Sequence, residues 1–200
     1  IVTSLFPLNA PVYKHLEELF INLENILASE SSLCYDYEYD RIICFGELIS
    51  TTIISDYMEM EGIENQFIDI RKFLKTDQNY RNANIDLELS EQLCKEAFDF
   101  NTSSTFVTQG FIAGTRTNQT TTLGREGSDY TAALLANLLN AENVTIWKDV
   151  PGVMNADPKE YEKAQVISRM SYKEAIELSH FGAKVIHPKT IKPIQNKQIP

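Results

Sequence analysis

Apolar residues recur at three- and four-residue steps near the start of the chain, where Leu16, Leu19, Phe20, Leu23, Ile26 and Leu27 follow Pro11. That spacing predicts an amphipathic helix over residues 11–29. Residues 29–40, rich in Ser, Tyr and acids, read as a loop. From about Gly46 the run through Leu48, Ile49, Ile53, Ile54 and Met60 fits a second helix, with Gly62 as its stop. The type of element then alternates. Strands are expected at 66–70, 105–109 and 144–147, and helices at 86–98, 128–140, 171–180 and 188–196, with a polar loop after Gly110. Alternating strands and helices imply a parallel or mixed sheet with helices on its faces, so the expected class is α/β. No internal repeat or low-complexity linker interrupts the pattern.

Composition narrows this further. A chain of 200 residues, 43% hydrophobic and 23% charged, suits one domain or most of one and is too apolar to be disordered throughout. Because it begins at Ile1 without Met and stops at Pro200, it is expected to be a fragment. A formal net charge of −10 argues against a nucleic-acid surface, so any anionic ligand must be met by locally placed cations. Cys34, Cys44 and Cys94 are widely spaced without a C-x-x-C pair, which fits a reducing compartment. With no long apolar run and no signal peptide, the expected location is the cytoplasm, away from any membrane. His15 and His180 have no second ligand at metal spacing, so no protein-held metal is expected.

The densest chemical signal runs from Gln109 to Asp129. Glycines at 110, 114, 124 and 127 permit close backbone approach, and Ser128 with Asp129 can cap the helix that follows. A helix start reached through such a loop offers free N–H groups and a positive dipole end to an anion, and Arg125 adds a planar fork for a carboxylate or phosphate. Gly-containing loops before capped helices are common, however, and the pattern alone does not separate an anion site from an ordinary helix start.

The wording of four ordered segments goes further. Thr121-Thr122-Leu123-Gly124-Arg125-Glu126-Gly127-Ser128-Asp129-Tyr130-Thr131-Ala132-Ala133 closely resembles the signature of the aspartate kinases, within the amino acid kinase family. Phe45-Gly46-Glu47-Leu48-Ile49-Ser50-Thr51 resembles that family's Gly-Glu-Leu-x-Ser helix start. The stretch from Ile146 to Pro158 resembles its nucleotide-binding strand and loop, and Phe181-Gly182-Ala183-Lys184-Val185-Ile186-His187-Pro188 its phosphate-lysine element. The resemblance covers roughly residues 45–200. It implies a three-layer α/β/α sandwich with a mostly parallel central sheet, of the carbamate-kinase-like type and incomplete at the N-terminus. One partial domain would span 1–200, with an amino-acid-binding lobe over about 1–110 and the start of a nucleotide-binding lobe over about 111–200.

The same resemblance implies transfer of the γ-phosphate of ATP to the side-chain carboxylate of L-aspartate, the first step toward lysine, threonine and methionine. Arg125 would pair with the α-carboxylate and Glu47 with the α-ammonium, while Phe111, Glu126, Gly127 and Ser128 shape the pocket, Glu126 through its backbone. Asp129 would organise the phosphate-binding lysines, and Lys184 would be one of them. Lys148, Asp149, Met154, Asp157, Lys159, Lys184 and Val185 fall where the family holds the nucleotide. Mg²⁺ should arrive with ATP and be held by phosphates and water. His187 reads as structural, because an attacking carboxylate is already ionised at neutral pH. Many relatives have Thr at Lys148, an aromatic residue at Met154, Arg at Lys159 and Gly at Glu126. The family's opening Lys-Phe-Gly-Gly-Thr-Ser loop has no counterpart here, so the chain alone is expected to turn over little. The full-length protein is expected to be a homo-oligomer. Competing readings are another family member, acting on acetylglutamate, glutamate or a nucleoside monophosphate, and a non-catalytic ligand-binding or assembly piece. Arg125 with Glu47 favours a free amino acid over an acetylated one.

Overall fold

The computed structural model describes residues 1–180 and 185–200. They fall into two compact units, residues 1–128 and 129–200, taken in turn.

The first unit opens with a short helix α1 (Val2–Leu5) and the predicted amphipathic helix α2 (Val12–Ala28). Helix α3 runs over Tyr35–Met60, eleven residues earlier than the apolar pattern suggested. The segment read as a loop thus holds the first turns of a helix. Asp36 and Glu38 favour this start because acids are stabilised at the positive end of the helix dipole, and the carboxylate of Asp40 is consumed by buried hydrogen bonds described below. Glu47 is therefore a mid-helix residue rather than an acid at a helix start. Phe6, Val12 and Leu16 form a core cluster on which Ile49 and Ile53 of α3 pack.

Strand β1 (Gln66–Ile68) pairs in parallel with β3 (Phe106–Thr108). The predicted strand at 66–70 is shorter because Asp69 accepts the N–H of Arg71 and caps a single 3₁₀ turn, Ile70–Lys72. Helix α4 (Leu87–Ala97) begins where Asp86 accepts the N–H of Leu89. Strands β2 (Lys75–Thr76), β4 (Ile112–Thr115) and β5 (Thr120–Thr122) make a mixed sheet in the order β2-β4-β5, parallel then antiparallel. The predicted polar loop after Gly110 is thus a hairpin. Its threonines point inward: Thr115, Thr121 and Thr122 are all buried, and Thr121 shares a hydroxyl hydrogen bond of 2.8 Å with Thr76. The α/β class holds, with the sheet of the described residues in these two pieces.

The second unit holds most of α5 (Gly127–Leu138), then α6 (Tyr172–His180) and α7 (Pro188–Lys197). Pro188 occupies the first helical position of α7, and His187 Nδ1 accepts the N–H of Lys189, which gives His187 the structural part expected of it. Ala133, Ala136, Ile194 and Ile199 form the unit's core. The strand expected at 144–147 does not form. Val144 packs against that helical core and donates its N–H to Pro200 at 2.9 Å, and Trp147 is exposed, so no strand partner claims the segment. Among the described residues no helix is long and apolar enough to cross a membrane.

Candidate functional site

In the first unit the candidate pocket residues sit on the exit of β3, the start of α5 and the middle of α3. Gln109, at the end of β3, is 1% exposed, and its amide is fully used. Oε1 accepts the N–H of Ile70 at 3.0 Å, and Nε2 donates to the hydroxyl of Thr51 at 2.9 Å. That hydroxyl donates in turn to the carbonyl of Glu47 at 2.7 Å. The turn leading to Phe111 is thereby tied to the helix that carries Glu47.

Beyond Gln109 two backbones meet without side chains between them. A Cβ on Gly110 would stand 2.7 Å from Ser128 Cα, and one on Gly127 would stand 2.7 Å from the ring of Phe111. Phe111 itself takes φ of +67°, an unusual conformation for a large side chain, and its carbonyl accepts the N–H of Leu123 at 2.8 Å. The structure thus brings Phe111, Gly127 and Ser128 together. Arg125 and Ser128 are exposed. Glu126 adopts φ of +53° and turns one carboxylate oxygen into the protein with no hydrogen-bond partner among the described residues. From the family wording only its backbone is expected to have a part. Glu47 is half-buried, and burial alone holds its carboxyl above the usual range, with no cation beside it among the described residues. A desolvated carboxylate without a partner is suited to receive an ammonium.

In the second unit Asp129 and Lys148 form an ion pair of 2.6 Å, Asp129 being the more buried of the two. Asp129 is expected to organise the phosphate-binding lysines, Lys184 among them; the lysine that it holds among the described residues is Lys148. Lys184 lies outside the described residues. Asp149, Asp157 and Lys159 are exposed and form no ion pair with any described residue. Asp157 Oδ1 accepts the N–H of Lys159 at 2.9 Å, so this acid shapes its own turn. Met154 is half-buried and bridges to Val166 in antiparallel fashion. Val185 lines a small apolar cavity with Val153 and Leu178. Lys189, which the sequence reading did not single out, lays its ammonium 4.8 Å from the ring centre of Tyr130, and burial lowers its pKa. Its only sequence signal is a lysine in the first turn of a helix, where cations are unusual.

The first unit of this α/β chain brings glycine-bearing loops together at strand ends, tied to the helix of a half-buried acid, and the second holds a lysine on a carboxylate at a helix start; each is suited to small charged ligands. Residues 8–200 match the amino acid kinase family, and the chain belongs to it. It is 38% identical over 188 residues to lysine-sensitive aspartokinase 3 of Escherichia coli (strain K12), covering 92% of this chain and 42% of that protein. It is 35% identical to the bifunctional aspartokinase/homoserine dehydrogenase of Buchnera aphidicola subsp. Acyrthosiphon pisum, covering all of this chain and 24% of that one. The crystal structure of E. coli aspartokinase III in complex with aspartate and ADP (R-state) superposes with a TM-score of 0.89 at 34% identity, over 100% of this chain and 44% of that one. The chain thus spans less than half the length of these relatives.

Proposed function

We propose that this chain forms part of the catalytic domain of an aspartate kinase, which transfers the γ-phosphate of MgATP to the β-carboxylate of L-aspartate. The observation that carries the reading is the backbone meeting of Gly110–Phe111 with Gly127–Ser128, tied through Gln109 and Thr51 to the helix of Glu47. It builds a pocket wall from the segments that match the family, and the superposed relative holds aspartate and ADP. Glu47 takes the α-ammonium, Arg125 the α-carboxylate, and Phe111 with the 126–128 backbone closes the wall. The amino-acid lobe falls in about residues 1–110 and the start of the nucleotide lobe in about 111–200.

On the nucleotide side, Asp129 holds the ammonium of Lys148 in place, which spares a phosphate-facing cation the entropy of being ordered. Lys184, Asp149, Met154, Asp157, Lys159 and Val185 complete that side. Among the described residues no three acidic, His or Cys side chains gather as a protein-held metal would need, and the Mg²⁺ of this proposal travels on the nucleotide's phosphates. When bound it neutralises charge that develops in phosphoryl transfer. The full-length protein is a cytoplasmic homo-oligomer in this reading, in keeping with three free cysteines.

The test is ADP release by the full-length protein with L-aspartate, acetylglutamate and glutamate as acceptors, and Arg125→Ala as control. Turnover with aspartate that the variant loses is the expected result. Faster turnover with another acceptor would overturn the substrate assignment, and no turnover with any of them would favour a ligand-binding piece.

A further inference from the structure

Asp40 is the most deeply buried acid among the described residues, with no solvent exposure at all. Burying a carboxylate is costly unless several donors meet it, and here they do. Oδ2 accepts the N–H of Arg81 and the N–H of Thr122, each at 2.8 Å, and Oδ1 accepts the hydroxyl of Thr122, also at 2.8 Å. Three donors do not fully offset the desolvation, which keeps the carboxyl above its ordinary range. These contacts join residues 41 and 82 positions apart, so they stabilise tertiary geometry and not local turns.

What they join bears on the pocket. Thr122 ends β5, three residues before Arg125. Its carbonyl accepts the N–H of Ala83 at 3.0 Å, and a Cβ on Gly124 would stand 2.8 Å from the Asn82 side chain and 3.1 Å from the Arg81 carbonyl. The chain approaching Arg125 therefore lies against segment 81–83, and Asp40 grips both. Asp40 is seven residues before Glu47 on α3, about 10 Å along the axis and nearly the same face at 1.5 Å and 100° per residue. The guanidinium of Arg81 also packs over Tyr39, 4.7 Å from its ring centre, and pairs with Asp36 at 3.2 Å. Segment 81–83 is thus seated on the first turns of α3 by side chain as well as by backbone.

We infer that Asp40 is a positioning residue for the amino-acid pocket: through Thr122 and Arg81 it fixes the loop of Arg125 against helix α3, and so sets the separation between Arg125 and Glu47. Helix α3 then acts as a ruler, carrying one ligand-binding group itself and holding the other by a buried carboxylate two turns away. The consequence is tight holding of the α-amino acid head group, whose ammonium and carboxylate sit on one carbon, with the nucleotide side untouched. The inference rests on the aspartate kinase reading given above.

The experiment is steady-state kinetics of the full-length protein as Asp40→Asn, Thr122→Val and Thr122→Ser, varying amino acid and ATP separately, with melting temperatures alongside. Wild type is first run with aspartate, acetylglutamate and glutamate; if aspartate is not the acceptor the functional reading fails, and Asp40 is then judged on the acceptor that works. Asp40→Asn should raise the amino-acid KM at least about tenfold while ATP KM stays within about twofold, the split expected when one ligand's binding groups are displaced. Thr122→Val, which removes one of the three donors, should raise it about threefold, and Thr122→Ser, which keeps the hydroxyl, should restore the wild-type value. An unchanged amino-acid KM in Asp40→Asn or Thr122→Val overturns the inference, as does a parallel rise of both KM values that only tracks lost stability. If Asp40→Asn does not fold, the two Thr122 variants decide the matter by the same criteria.

Discussion

Lys148 Nζ stands 2.6 Å from Asp129 Oδ2 in the second unit, at the start of the helix that follows the glycine-bearing segment. Asp129 is an acid near a helix N-terminus, where the dipole already favours negative charge, so the pair keeps an anion and a cation together where phosphate is proposed to arrive.

Asp129→Asn removes the charge that orders Lys148. ATP KM should rise by roughly tenfold and kcat should fall as well, while aspartate KM changes little, because the interaction lost is one that orders a phosphate-facing cation. Initial rates at varied ATP check this. Lys148→Ala with unchanged ATP kinetics would remove Lys148 from the nucleotide side.

Gly110→Ala places a methyl carbon 2.7 Å from the Cα of Ser128. That obstacle is backbone, so one of the two segments must shift. The expected cost is roughly 1–3 kcal/mol of stability, typical of overpacking, along with a weaker response to aspartate. Thermal melts with and without aspartate measure both effects. A wild-type melting curve would show that the segments are free to part.

Glu47 has its carboxyl held above the model-compound value of 4.5 by burial. Below pH 4.5 the group is protonated whether folded or unfolded and carries no penalty; the penalty builds as pH rises from 4.5 to the folded pKa, where only the unfolded chain ionises, and stays in full above it. Glu47→Gln should therefore raise the melting temperature at neutral pH while abolishing the stabilisation that aspartate confers. For wild type, aspartate affinity should weaken as pH falls through the raised pKa, because a protonated Glu47 has no charge to offer the ammonium. Calorimetric titration at several pH values checks the slope.

Asp69 shows the opposite sign. Burial pushes its carboxyl up, but hydrogen bonds and charge from Arg71, at 2.7 Å, outweigh that and bring it below 3.8. Its stabilising contribution is present above pH 3.8 and is lost as pH falls through the lower folded value. Asp69→Asn should flatten the acid limb of the stability curve below pH 4 and lower stability at neutral pH. Denaturant melts across that range measure the difference.

Much of this was legible in the chain. The 3.6-residue spacing of Leu16, Leu19, Leu23 and Ile26 marked α2 to within a residue, and the helix expected over 86–98 stands as α4 over Leu87–Ala97. The segments around Glu47, Phe111 and Gly127 stood out as family segments because their wording is specific. The first turns of α3 were not, since Asp36, Glu38 and Asp40 look like loop residues until it is known that Asp40 is inside and its acceptors are in use. The hairpin of β4 and β5 was hidden by threonines that read as surface until Thr121 and Thr122 prove to be buried.

The sequence by itself determined the alternation of helices and strands, the placement of the glycines and the family wording, all of which depend on near neighbours along the chain. Only the tertiary structure decided that Asp40 grips Thr122, that Gln109 ties the Phe111 turn to the helix of Glu47, and that Asp129 pairs with Lys148. The physical reason is that a polar side chain has no fixed role until its burial is known. In water Asp40 or Gln109 is one more solvated group, whereas inside the protein each must find partners, and those partners come from segments dozens of residues away.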